Sequence, residues 1–341
     1  MRSLSVGPAL SAGVTRTVAA GAIASYGLVY LNARRLLPDT IFRDAEKIEQ
    51  QMAGADTYAG SSFDVAGQLF TAIGAGLDPF VMGIGAWLLW FLYRDARRPG
   101  LMAAATLLGV ACVFFNLFVA SKDTLVVAMA LLVATGARQG RPIRMWLALL
   151  LPYTAYAVLL RPYYALILGL ALALYLLTRL GPRRRIVALG VALLALMLVP
   201  PAILHTLQVA RDLAVQYLQF QSPYGARTSF LNPYPLDSLP GFIGNYLYAC
   251  LRLNLTVLWH PGVKEAAMQF WLWLAAWPAF RAVAGGVAGR AQASPASLPA
   301  CLVMAHVAVS MLFEPDLGSY MRHLSALAPL SMLLLRPVTR Q

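Results

Sequence analysis

The sequence predicts an all-α fold: a polytopic integral membrane protein with about ten transmembrane helices and both termini cytoplasmic. Three observations carry that expectation. Of 341 residues, 60% are apolar and only 12% charged, about half the roughly 25% charge of globular proteins, so a soluble surface could not be covered. The apolar residues fall in runs approaching membrane length. The formal charge of +13 is unevenly divided between the intervals that separate those runs. A nucleic-acid binder would carry its basic residues in patches among polar ones, and a disordered chain would lack the apolar mass.

The runs cover residues 17–31, 77–93, 101–120, 124–136, 145–160, 164–178, 186–205, 267–280, 298–313 and 324–335. The first follows a basic end, as a cleavable signal would. The residues after it (Asn32, Ala33, Arg34, Arg35) make a poor small-residue cleavage site. Residues 241–259 are also apolar, but Arg252 lies near their middle. A lipid-facing charge there costs at least ~2.5 kcal/mol, so this stretch reads as an interfacial or re-entrant helix. The chain is then one multi-span membrane domain, residues 1–341, with two long outer loops, 36–77 and 206–264, that carry interfacial helices.

Orientation follows from the basic residues. Ten spans leave both termini on one side, and that side receives 16 of the 27 Lys and Arg but only Asp95 of the 14 acids, a net of +15. The other side holds the remaining 11 bases and 13 acids, a net of −2. Basic residues in short loops stay cytoplasmic, so the acid-rich loops face out.

Little conventional cofactor chemistry is encoded. Cys112, Cys250 and Cys301 are scattered in apolar surroundings and form no disulfide framework. The four histidines show no metal-ligand spacing, and no Walker or GxGxxG loop occurs. No metal and no cofactor are expected.

The outer side collects the unusual residues. Three hairpins turn there with charged tips: Ser121-Lys122-Asp123, Arg161-Pro162-Tyr163-Tyr164, and the stretch from Glu314 to His323. Two flanking runs, 124–136 and 324–335, have 13 and 12 residues, a rise of only about 18–20 Å against a ~30 Å hydrocarbon core. Helices that short either thin the bilayer or stop below its surface in a polar cavity. Lys122 and Asp123 can neutralise each other. Arg161 has no acid near it in sequence, and its planar fork suits an external phosphate. The first outer loop is acidic (Asp39, Asp44, Glu46, Glu49, Asp56, Asp64), with a short helix at Arg43–Met52 and an amphipathic one at Ser62–Ile73 that Ser62 can cap. The second is rich in aromatics, whose flat faces suit a membrane interface or a sugar ring.

Cations for a phosphate, acids for proton transfer and aromatics for sugars suit one job: moving a glycan off a lipid phosphate at the outer leaflet. Lys122, Arg161, Tyr163 and Arg322 are the candidates for the lipid phosphate. Asp44, Asp123, Glu314, Asp316 and His323 are the candidates for the proton-transferring base. Tyr164, Tyr224, Tyr234 and Tyr320 are the candidates for glycan stacking.

With ten runs, an acidic first outer loop, a long late one and these three tips, the chain resembles the Wzy-type and EpsG-type polysaccharide polymerases, within the broader GT-C-like membrane glycosyltransferases. The resemblance implies joining of polyprenyl-diphosphate-linked oligosaccharide repeat units in exopolysaccharide or O-antigen biosynthesis. It implies a bacterial cytoplasmic membrane, a site facing the periplasm or exterior, a lipid-linked oligosaccharide substrate and a chain-length regulator or flippase as partner, with no nucleic acid. In the GT-C group a base or metal-binding acid often lies in the first outer loop, where Asp39 and Asp44 stand. The alternatives are a GT-C transferase adding one sugar from a polyprenyl-monophosphate donor and a lipid-linked glycan flippase or transporter.

Overall fold

The structure, a computed structural model, describes residues 7–220, 227–288 and 297–336. Among these the secondary structure is helical throughout. The chain divides into two compact units, residues 1–168 with 325–341, and residues 169–324.

In the first unit the helices are α1 (Ala12–Leu31), α2 (Ala33–Leu36), α3 (Arg43–Met52), α4 (Ser62–Ile73), α5 (Leu77–Tyr93), α6 (Pro99–Asn116), α7 (Lys122–Arg138) and α8 (Pro142–Leu159), with α16 (Ala328–Leu335) returning from the C-terminal end. Their starts are chemically marked. Ser11 caps α1 by accepting from Val14 N, α6 and α8 begin with proline, and Ser121 and Thr124 form a reciprocal capping box on α7. Each device satisfies backbone N–H groups that a helix start leaves bare, or dispenses with one. Ser61, not Ser62, caps α4, which leaves the Ser62 hydroxyl for another partner.

Close approaches fix the packing. α1 lies on α5 with the Tyr26 ring over Gly85, where an added Cβ would come within 2.3 Å of the ring. The Tyr26 hydroxyl then donates to Leu117 O at 2.7 Å. α7 and α8 meet backbone to backbone at Gly136, whose absent Cβ would lie 2.9 Å from Met145 Cα. α16 is central: Ala328, Leu330 and Met332 are fully buried, and it packs on α5, α6 and α7. Just before it, Ser325 Oγ accepts from the buried Asn116 Nδ2 at 2.8 Å.

α9 (Tyr164–Arg179) leads from the first unit into the second. There α10 (Pro182–Met197), α11 (Pro201–Phe220), α12 (Leu239–Asn254), α13 (Val263–Val287), α14 (Ser297–Phe313) and α15 (Leu317–Ser325) follow. α14 is the core helix, packed by α11, α12 and α13. α10 buries no residue and presents an apolar surface.

Four helices are long and apolar enough to cross a membrane among the described residues: Ala12–Leu31, Ser62–Tyr93, Pro99–Asn116 and Pro142–Leu159. α10 and α11 qualify only together and are bent by 87°, so counting them as one span gives five. That is the architecture of a multi-pass membrane protein, with fewer spans than the ten expected. The excess has identifiable causes. Runs 164–178 and 298–313 are helices of only 16 and 17 residues, about 24–26 Å long. Run 186–205 breaks at Pro200 and Pro201, because proline removes a helical donor and biases its predecessor away from the helical region. Run 324–335 is split at 326–327 between α15 and α16. The short helix expected at 124–136 extends at both ends to Lys122–Arg138, so the charged tip is its first turn. α12 does not qualify as a span by itself.

Candidate functional site

Each unit carries one dense polar cluster among the residues that the sequence was expected to place outside.

In the first unit the cluster gathers at the start of α7. Lys122 and Asp123 are both buried, at 5% and 1% exposure. They do not neutralise each other as their adjacency suggested. Consecutive residues on a helix point about 100° apart, and each has its own partner. Asp123 Oδ1 pairs with Arg161 Nη1 at 2.9 Å, so the arginine expected to lack an acid has one from 38 residues away. Arg161 Nη1 also donates to the Tyr163 hydroxyl at 3.1 Å. Lys122 Nζ donates to Ser62 Oγ at 2.9 Å and stands 3.4 Å from the Phe63 ring centroid. Lys47 Nζ is 5.0 Å from the same ring and 4.0 Å from Asp44 Oδ1. The acidic first loop is thereby fastened to α7 through one phenyl ring and one hydroxyl.

Tyr164 is 2% exposed, with Tyr153, Tyr156 and Tyr163 rings around it at 4.4–5.9 Å. The Tyr156 hydroxyl donates to Lys122 O at 3.2 Å. Tyr164 therefore presents no open face to a sugar in this structure. It packs the base of the ion pair.

In the second unit the cluster surrounds the turn from α14 to α15. Glu314 is 3% exposed. Its carboxylate takes the Ser319 hydroxyl on Oε2 and His323 Nδ1 on Oε1. The i and i+4 spacing of Ser319 and His323 on α15 puts both on one face of that helix. Asp316 acts locally, as the N-cap of α15, accepting from Ser319 N at 3.0 Å. Burial raises its pKa above the usual carboxylate range, partly offset by the Ser319 and Gly318 N–H groups. Arg322 is half-buried on the same helix. Tyr320 is fully buried, its hydroxyl donating to Asn254 Oδ1 at 3.3 Å, so it too offers no exposed face. Tyr234 is 53% exposed and is the open ring among the proposed stacking residues that the structure describes. Tyr224 lies outside the described residues.

Two arginines that the sequence did not single out as site residues complete this cluster. Arg211 on α11 is 2% exposed. It donates to Asn232 Oδ1 at 2.8 Å and to Met311 O, and its Nε has no hydrogen-bond partner among the described residues. Arg252 on α12 donates to the Tyr248 hydroxyl at 3.4 Å and to His260 Nε2 at 3.1 Å. Partial burial, with Arg252 and Arg227 close by, lowers the His260 pKa below its ordinary value, which keeps the imidazole an acceptor at neutral pH. Arg211 and Arg252 both face the Phe230 ring, at 5.0 and 5.4 Å from its centroid. Tyr248 and Trp259 add two more rings around Arg252, at 5.7 and 5.4 Å. Phe230 is tied to the α14–α15 turn by Phe230 N donating to Pro315 O at 3.3 Å. Neither arginine has a carboxylate within 4.0 Å among the described residues. The signal available for Arg211 was weak: an adjacent Arg211–Asp212 pair in an amphipathic stretch after the double proline.

No group of three or more His, Cys, Asp or Glu is arranged to hold a metal ion among the described residues. Comparison with protein families, with curated proteins and with solved structures finds no match to the chain.

Proposed function

We propose that the protein transfers a glycan from a polyprenyl-diphosphate donor at the outer face of a bacterial cytoplasmic membrane, joining lipid-linked repeat units into a polymer. The observation that carries this reading is the second unit's cluster. It gathers in one unit a histidine held by a carboxylate and two arginines, Arg211 and Arg252, whose hydrogen-bond acceptors are neutral. Glu314 holds His323 by Nδ1 and so directs Nε2 away, as the third member of a catalytic triad orients its base. The acceptor hydroxyl loses its proton to that nitrogen while its oxygen attacks the anomeric carbon. The bond from that carbon to the phosphate oxygen breaks, and the leaving lipid diphosphate takes the electron pair. Arg252 and Arg322 meet the developing negative charge, with Arg211 behind Phe230 adding a fixed positive field. Tyr234 is the ring left open for the sugar. In this scheme Lys122 holds the first outer loop on α7 through Ser62 and Phe63, Asp44 joins that fastening through Lys47, and Asp123 with Arg161 ties the turn before α9 to α7. The resemblance to Wzy-type and EpsG-type polymerases supports the donor class.

The test is genetic. A host lacking the gene is complemented with wild type, His323→Ala and Glu314→Gln, and surface polymer is resolved as a ladder on gels. Wild type restores the ladder. Both variants lose it while protease accessibility shows normal membrane insertion. Normal ladders in both sink the proposal, and a single-sugar increment in the wild-type product would instead identify a monophosphate-dependent transferase.

One observation favours a second reading, a lipid-linked glycan flippase or transporter. The 87° break between α10 and α11 is the kind of discontinuous helix that transporters use at their substrate sites. Substrate flux in liposomes without polymer formation would select that reading.

A further inference from the structure

The opposite end of the first unit carries a second charge cluster that glycan transfer does not use. One carboxylate, Asp95, is shared by three arginines. Arg138 at the end of α7 is in direct contact with it, Arg94 lies at 3.4 Å and Arg336 at 3.8 Å. Three cations on one anion leave two positive charges unbalanced. The Arg336 side chain is 11% exposed. It donates to Phe91 O at 2.6 Å and Leu92 O at 3.2 Å, which pins the end of α16 to α5. Its Nε and Nη1 find no hydrogen-bond partner among the described residues. Arg138 and Arg336 also share the Phe91 ring, at 5.9 and 5.1 Å from its centroid.

More cations adjoin. Arg94 O accepts from the Thr15 hydroxyl, next to exposed Arg16, and Leu10 N donates to Arg97 O. Arg141, in the turn after α7, and Arg144, in the first turn of α8, are exposed. The apolar flanks are exposed as well: Trp90 at 36%, Leu132 at 42% and Ile143 at 67%. Basic side chains at the ends of apolar helices, bordered by exposed apolar residues, sit at lipid-headgroup level.

We propose that the Arg94–Arg138–Arg336 cluster binds the phosphate of an anionic phospholipid headgroup. Arg94 and Arg138, 42% and 26% exposed, make the direct contacts, and Asp95 spaces their guanidinium groups. Arg336 is the positioning residue that holds α16 to α5 behind them. The lipid neutralises the surplus charge and clamps the ends of α5, α7 and α16. The cluster's own chemistry carries this site, and it stands whether or not the protein transfers glycans.

The experiment uses the purified full chain in detergent. Phosphatidylglycerol, phosphatidylcholine and inorganic phosphate are added separately, with binding followed by native mass spectrometry and thermal unfolding. Phosphatidylglycerol should bind and raise the unfolding temperature of the wild type, and phosphatidylcholine should do neither. Arg94→Gln and Arg138→Gln should each weaken phosphatidylglycerol binding about fivefold, while Lys264→Gln, an exposed cation of the other unit, leaves it within about twofold. Unchanged affinity in both cluster variants overturns the site. Equal stabilisation by inorganic phosphate at the same concentration overturns the lipid assignment. Stabilisation by phosphatidylcholine equal to that by phosphatidylglycerol overturns any role for charge.

Discussion

The two polar clusters, one in each unit, use the same residue types in opposite ways. In the first unit, Asp123 closes on Arg161 and Lys122 is spent on a hydroxyl and a ring. In the second, the carboxylate of Glu314 goes to a histidine and a serine, and Arg211 and Arg252 are left with neutral acceptors and aromatic faces. A buried charge paired with its opposite is structural in the first instance, because removing either partner strands the other. A buried charge held by neutral groups keeps its field available to a ligand. The contrast separates the two clusters: the first unit's tip secures a loop, and the second unit's tip is the one to which the proposed glycan transfer assigns the chemistry.

The largest effect should come from the second unit. His323→Ala and Glu314→Gln should each lower the rate of polymer formation by roughly 10²–10⁴-fold, the usual worth of a positioned base, with little change in unfolding temperature. A complementation series scored by polymer yield, alongside melting of each purified variant, checks both halves. If stability falls in step with yield, the second cluster is structural and the distinction between the units fails.

The first unit should behave in the reverse sense. Arg161→Ala leaves Asp123 buried without its counter-charge and should cost about 3–5 kcal/mol. The double variant Arg161→Met with Asp123→Leu removes both charges and should recover most of that loss. Denaturant titration of the single and double variants measures the coupling. Near-additive losses would mean that the pair contributes little and that Arg161 is free to serve a ligand.

These expectations also mark how far the sequence was legible. Composition and apolar runs were enough for an all-α membrane architecture, since both are one-dimensional properties. The span number was not legible, because a run's length says nothing about a bend at Pro200–Pro201 or a break at 326–327. Pairing was not legible either. Lys122 and Asp123 are neighbours in sequence and diverge on the helix, whereas Asp123 and Arg161 meet across two helices. Glu314 and His323 were both in view as candidate bases. Their union depended on the turn at Pro315, which folds α15 back so that its fourth-residue spacing faces the carboxylate.

Smaller effects test the packing that presents each cluster. Gly85→Ala drives a Cβ to 2.3 Å from the Tyr26 ring, which is itself anchored to Leu117 O. Gly136→Ala meets the Met145 backbone at 2.9 Å, where no side chain can swing aside. Overpacking of this kind costs about 1–3 kcal/mol, and Gly136→Ala should be the costlier because backbone yields less than a ring. Melting of the two variants tests the order.

The smallest effect concerns Asp316, and its sign is opposite to that of a salt-bridged acid. Burial raises its pKa in the folded state, so the folded protein holds that proton more tightly than the unfolded chain does. The stability linked to the proton is fully present below the unfolded pKa and is lost as pH rises through the raised folded value. Above that value the buried charge of Asp316 is therefore a cost. Asp316→Asn keeps an N-cap oxygen for Ser319 N, since asparagine caps as well as aspartate, and removes the charge. It should be slightly more stable than wild type at neutral pH and lose that advantage in acid. Unfolding midpoints across the acid-to-neutral range decide the point. A variant less stable at neutral pH would show that the Asp316 charge itself is needed at the start of α15, and would return it to the candidates for a functional acid beside Glu314 and His323.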